Sequence, residues 1–299
     1  MKAITKMQAR LATLGSFLAA LFVSSAAWAV PAGAPKPWEI NLQEMVTENG
    51  HRIVALHNAL LIIITVITLF VLGLMIYVCW RFNEKNNPVP SKTTHSTVLE
   101  VAWTVLPILI LLGIAIPSFR LLRFQLIFPT ADLTVKATGK GNWQWEYEYP
   151  KDAGGFSFIS AMLSDEEIKK AVADGRPAED MPRLLAVDNE LVLPVNKTII
   201  LQVTGESIIH NFALPAFGLK IDAIPGRLNQ TWFKAEREGL YYGQCSRLCG
   251  ANHAFMPIAI RIVSQEAYAK WLEDAKKKYA STETAPTQLA AAETTAAQR

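Results

Sequence analysis

No Cys-x-x-Cys-His occurs in the sequence, so the chain carries no covalently attached haem. It also lacks an excess of charge once its amino end is set aside. The formal balance is +3, but residues 1–29 hold Lys2, Lys6 and Arg10 and no acid, which leaves 26 Lys+Arg against 26 Asp+Glu. With no basic face, there is no basis for a nucleic-acid partner. Cysteine is scarce: of three, two fall within one short stretch, and Cys79 has no partner nearby in sequence. Cys79 is expected to be a buried, inert thiol.

Charge is missing altogether from two long apolar runs, Ala59 to Trp80 and Val101 to Phe119. As a helix, the first would span about 33 Å, matching a hydrocarbon layer of roughly 30 Å. Both read as transmembrane helices, within a hairpin over residues 53–124 whose polar loop covers 81–100. That loop holds Arg81, Lys85 and Lys92, so the positive-inside rule places it in the cytoplasm and the large carboxyl part outside; Arg120 and Arg123 oppose this assignment. Upstream, a basic head, a short apolar run from Leu11 to Val23 and Ala27-Trp-Ala29 match a secretory signal peptide over 1–29, followed by an exported segment over 30–52. The alternative, an uncleaved anchor, has too short a run to span comfortably.

From Ala131 the pattern changes to short strands. Leu133, Val135 and Ala137 alternate with polar residues, as do Trp143, Trp145, Tyr147 and Tyr149, and Leu191 to Val195, Ile199 to Val203 and Pro257 to Val263 add further strands. The fold class is therefore a two-helix transmembrane hairpin followed by an all-β sandwich or barrel, with the β domain over 131–264. Ser164-Asp-Glu-Glu167 has capping-box form and opens a helical insert. The insert lies in a segment, Glu146 to Glu190, with eleven acids against five bases. This is ordinarily a solvated face, but beside a metal site it would steer a basic protein toward docking. Ser264 can cap a helix over 265–280, and residues 281–299 hold a single large apolar side chain, Leu289, and are expected to be disordered.

The stretch Gly243-Gln-Cys245-Ser-Arg-Leu-Cys249-Gly-Ala-Asn-His253-Ala-Phe-Met256-Pro257 gathers two thiols, an imidazole and a thioether into twelve residues. These are ligands that copper prefers over magnesium, calcium or manganese. The second cysteine lets both sulfurs bridge a pair of copper ions. His210, beside a β-rich run, is the best second histidine. A disulfide and a zinc site are the competing readings, and methionine argues against zinc.

The Gly-Gln-Cys-Ser-x-x-Cys-Gly-x-x-His-x-x-Met-Pro run, with the upstream His-x-Phe and Lys-x-Asp-Ala-x-Pro-Gly-Arg-x-Asn segments, resembles subunit II of the haem-copper cytochrome c oxidases over about Asn41 to Trp271. The resemblance implies a cupredoxin-like domain with a binuclear copper centre (CuA). Its ligands would be His210, Cys245, Cys249, His253, Met256 and the backbone carbonyl of Arg247. The resemblance further implies that Trp143 is where electrons arrive from cytochrome c, and that Glu100 stands at the entrance of a proton path. The partners would be oxidase subunits I and III, cytochrome c and membrane lipid, in a bacterial inner membrane with the copper domain in the periplasm.

The sequence departs from the family pattern in three segments, at four positions. Gln-Trp-Tyr-Trp becomes Asn142-Trp-Gln-Trp145, and an aspartate three residues before the first copper histidine becomes Ser207. Arg247 replaces a glutamate whose carboxylate helps hold magnesium at the boundary with subunit I, which puts that magnesium in doubt. Other classes remain open: a membrane-anchored copper carrier, a quinol oxidase subunit, from which the retained ligands argue away, and a disulfide-bonded docking module.

Overall fold

A computed structural model describes residues 33–279. The expected signal peptide and disordered tail lie outside the described residues. Helices α1 (Glu48–Arg81) and α2 (Thr97–Leu126) are both long and apolar enough to cross a membrane. At 34 and 30 residues they would run about 50 and 45 Å, well beyond the apolar runs read from the sequence. Arg120 and Arg123 therefore do not flank a span that stops at Phe119. They ride on the continuing helix, and the nearby Phe124 ring lies 4.1 Å from the Arg52 guanidinium. Cys79, expected to be buried, is exposed on the surface of α1.

The outer ends of both helices are fastened to the β domain. Thr47 caps α1 by accepting from the Gly50 N–H at 3.0 Å, while its own hydroxyl donates to the Phe217 carbonyl at 2.8 Å. Asn49 donates to the Gly218 carbonyl and accepts from Gln125 of α2, and Phe124 packs on Trp232 with ring centres 5.1 Å apart. Gly218 is left-handed at φ 66, and a Cβ there would sit 3.0 Å from the Gly50 Cα, so glycine is required for the chains to meet.

Ten strands follow. β1 (Leu133–Gly139), β2 (Trp145–Glu148), β3 (Ser157–Ser160), β5 (Thr198–Gly205) and β8 (Asn229–Lys234) form one sheet, in the order β3-β2-β1-β5-β8. β4 (Leu191–Pro194), β6 (His210–Leu214), β7 (Leu219–Ala223), β9 (Gly239–Cys245) and β10 (Pro257–Val263) form the other, in the order β4-β10-β9-β6-β7. β1 runs parallel to β5, and β4 to β10. Val135 and Ala137 of β1, Trp145 and Tyr147 of β2, Leu201 and Val203 of β5, Phe212 of β6 and Ile258 and Ile260 of β10 meet in one buried core. The period-two alternation is thus the inward face of a sandwich.

Helix α3 (Asp165–Ala173) has the expected capping box: Ser164 Oγ accepts from the Glu167 N–H, and the Glu167 carboxylate accepts from the Ser164 N–H. Helix α4 (Gln265–Tyr279) begins where Ser264 Oγ accepts from Ala267 N–H. Much of the acid in 146–190 is locally paired. Glu146 meets Lys140, Glu148 meets Lys136, Asp165 meets Arg183, and Asp180 and Glu190 share Arg261. As a steering field it is weaker than its count of acids suggests.

Candidate metal centre

β6 opens with His210, and β9 ends with Cys245, which pairs opposite Phe212. These two strand ends therefore bring an imidazole and a thiol together from residues 35 apart in sequence. The following loop carries Cys249 and His253 and returns to Met256, where the Cys245 N–H donates to the Met256 carbonyl at 3.0 Å and closes the neck. His210, Cys245 and Met256 are buried, and Cys249 is partly buried.

The donors form a string. His210 Nδ1 lies 4.0 Å from Cys245 Sγ, the two sulfurs lie 3.7 Å apart, and Cys249 Sγ lies 3.6 Å from His253 Nδ1. Both thiols are free. The Arg247 carbonyl accepts from Cys245 Sγ at 3.3 Å. The ligand atoms of His210, Cys245 and Cys249 all fall within 4.8 Å of one another, while His253 joins through Cys249. One imidazole stands at each end of the string, with the two sulfurs between. This layout is made of soft and borderline donors, a set that copper binds well.

Burial holds the His210 imidazole below its usual 6.5, which favours the neutral, ligating form. Burial, followed by the adjoining Cys245 sulfur, pushes the Cys249 thiol up to about 12. Metal binding must therefore displace a proton from Cys249.

Several residues not singled out from the sequence shape this pocket. Gly139 ends β1 beneath His210, and a Cβ there would lie 2.6 Å from His210 Cδ2. Trp145 flanks the same imidazole at 6.1 Å between ring centres. Asn211 and Ser246, each following a ligand, are joined by a hydrogen bond of 2.7 Å from Ser246 Oγ to Asn211 Oδ1. Asn211 Nδ2 donates to Asp222 Oδ1 at 2.7 Å, and Arg247 Nη1 meets Asp222 Oδ2 at 3.2 Å. Asp222 was legible only as part of the Lys-x-Asp-Ala segment.

Trp143 was expected on the aromatic strand, but the strand starts at Trp145. Trp143 sits in the preceding turn with φ 59, a left-handed conformation costly for a bulky residue. The turn is closed by Lys140 and Gln144 and tied down by Glu206, which pairs with Lys140 and accepts from the Gly141 N–H. This removes Trp143 from the inward face that buries Trp145 and Tyr147 and lays it against the metal loop. Its indole Nε1 donates to the Cys249 carbonyl at 3.1 Å, and a Cβ on Gly250 would meet the ring at 2.9 Å. Glu100 is elsewhere: exposed, in the first turn of α2, at the end of the helix remote from the β domain.

Arg247 tests the family's magnesium. Its guanidinium, not a carboxylate, occupies that position, and it is already bound to Asp222. This donor set does not fit a divalent cation.

Two family models match: "Cytochrome C oxidase subunit II, periplasmic domain" over residues 133–263 and "Cytochrome C oxidase subunit II, transmembrane domain" over residues 35–121. A probable cytochrome c oxidase subunit 2 of Rickettsia felis is 47% identical over 246 residues, covering 82% of this chain and 75% of its own length. Cytochrome c oxidase subunit 2 of Cereibacter sphaeroides is 46% identical, with 82% of each chain covered. Among solved structures, the periplasmic domain of subunit II of cytochrome oxidase of Bradyrhizobium japonicum is 59% identical, covering 51% of this chain and 99% of that one, at a TM-score of 0.45.

Proposed function

The chain belongs to the cytochrome c oxidase subunit II family, the membrane-bound subunit of an oxidoreductase complex, and from that premise we propose that it receives electrons from cytochrome c and passes them to haem in subunit I. His210, Cys245, Cys249, His253, Met256 and the Arg247 carbonyl would hold two copper ions. When bound, such a pair supplies a site that stores one electron shared between two metals. The observation that carries the reading is the string of donors His210, Cys245, Cys249 and His253, with Trp143 bonded to the carbonyl of Cys249.

The chain's own residues account for the rest. The buried strand ends keep water from His210 and Cys245, so little solvent must reorient when charge changes there. Trp143, partly buried and hydrogen-bonded to a ligand residue, offers a through-bond route from the surface to the Cys249 sulfur. The capped junction at Thr47 holds the β domain at the outer membrane face, in the periplasm of a bacterial inner membrane. Oxygen reduction and most proton transport belong to neighbouring subunits, with Glu100 at the cytoplasmic entrance of a proton path.

Electron paramagnetic resonance of the full chain loaded with copper tests this. One electron shared equally over two copper nuclei is the expected pattern. A single-copper spectrum would shift the function to copper carriage. Failure to bind copper, with Cys245 and Cys249 oxidised to each other after reductive refolding, would remove its chemical basis.

A further inference from the structure

Arg247 turns its backbone and its side chain to different tasks. Its carbonyl lies 3.3 Å from Cys245 Sγ, and its guanidinium reaches Asp222 at 3.2 Å. Asp222 is well anchored for a residue holding a surface arginine. Its second carboxylate oxygen takes the Asn211 amide at 2.7 Å, and its backbone carbonyl takes the Asn229 amide at 2.6 Å. Asn211 is buried and also accepts from Ser246 Oγ. The chain of contacts Arg247, Asp222, Asn211, Ser246 therefore closes a ring that ties the residue after His210 to the two residues after Cys245.

An isolated exposed ion pair is worth little, and here the Arg247 side chain is 56% exposed. Charge-assisted contacts to an anchored, partly buried carboxylate hold better than that, because Asp222 loses little freedom on pairing. Arginine also keeps further N–H donors in a planar fork, and these are free to meet carbonyls or carboxylates of a neighbouring chain.

We propose that Arg247 is a built-in cation: its guanidinium, clamped by Asp222, supplies at this edge of the metal centre the positive charge that the family's divalent ion would supply, and fixes the 245–247 backbone against 210–211. Arg247 and Asp222 are positioning residues. With the Asp222 carboxylate already committed to this guanidinium, no divalent cation binds there. This rests on the copper reading above.

The test uses the assembled complex purified from membranes of cells grown with excess Mn2+, a paramagnetic stand-in for magnesium. The wild-type complex is expected to contain copper but no Mn2+ magnetically coupled to it; a copper-coupled Mn2+ signal would overturn the proposal. Arg247→Gln removes a nearby positive charge, which should favour the oxidised metal and lower the midpoint potential, and Arg247→Lys should restore much of that loss. An unchanged potential in Arg247→Gln at full copper content would also overturn it. Should Arg247→Gln fail to assemble, Asp222→Asn keeps the charge and breaks the clamp. It is expected to alter the copper hyperfine splitting, and an unaltered spectrum would count against the clamp. Absence of copper from the wild-type complex would instead sink the copper reading itself.

Discussion

The indole N–H of Trp143 donates to the backbone carbonyl of Cys249 at 3.1 Å, linking a turn of one sheet to the metal loop of the other. The contact crosses 106 residues of sequence and requires Trp143 to leave the strand pattern in which it is written.

Replacing Trp143 tests its role directly. Trp143→Ala is expected to slow electron transfer from reduced cytochrome c by at least roughly tenfold, equivalent to about 1.4 kcal/mol of barrier, without loss of copper. Trp143→Phe keeps a ring but loses the hydrogen bond, so its rate should fall between the two. Stopped-flow mixing with reduced cytochrome c measures this; a rate unchanged in Trp143→Ala would place electron arrival elsewhere.

Two glycine substitutions should separate local from global damage. Gly139→Ala pushes a methyl into the His210 ring and is expected to perturb the copper spectrum, with a stability cost of about 1–3 kcal/mol. Gly243→Ala places its methyl on the Ala213 backbone carbonyl, which cannot rotate away, and should prevent folding of the sandwich. Thermal melts and copper absorption of the two variants compare them.

The Trp143 turn should be insensitive to pH until well into acid. Lys140, then the Gly141 N–H, holds the Glu206 carboxyl below its usual 4.5, and Glu206 holds Lys140 above its usual 10.5. With its folded value lowered, Glu206 contributes its hold in full above about 4.5 and loses it only as pH falls through that lowered value. Electron arrival through Trp143 should therefore not depend on Glu206 titration between pH 5 and 8. Glu206→Gln should loosen the turn across that whole range, read as faster amide exchange at Gly141 and Trp143.

Thr47→Val removes the cap of α1 and leaves the buried Phe217 carbonyl without its donor. The expected loss is about 1–2 kcal/mol, with faster hydrogen exchange at Gly50 and His51. Thr47→Ser should keep most of the stability. If Val and Ser behave alike, the junction is held by packing rather than by these two hydrogen bonds.

The legibility of this chain follows from the range of the interactions involved. Uncharged runs in α1 and α2 and the alternation in β1 report burial one residue at a time, so spans and strands could be read locally. Their ends could not. α1 starts at Glu48 because Thr47 finds both a cap position and the Phe217 carbonyl, and no local signal contains Phe217. The aromatic series Trp143, Trp145, Tyr147, Tyr149 looks uniform for the same reason, because periodicity cannot register that Trp143 turns left-handed to reach Cys249.

For the metal centre, the sequence by itself determined the donor types, since Cys245, Cys249, His253 and Met256 lie within twelve residues on one loop and soft ligands select soft metals. Residue identity also decided that position 247 carries a positive charge. Only the tertiary structure decided where the second imidazole stands and what Arg247 does with its charge. Sheet pairing carries His210 to Cys245, and the approach of β7 sets Asp222 beneath the guanidinium. Both depend on strand registers over distant residues, whose free energy is shared across the whole core and is written in no single motif.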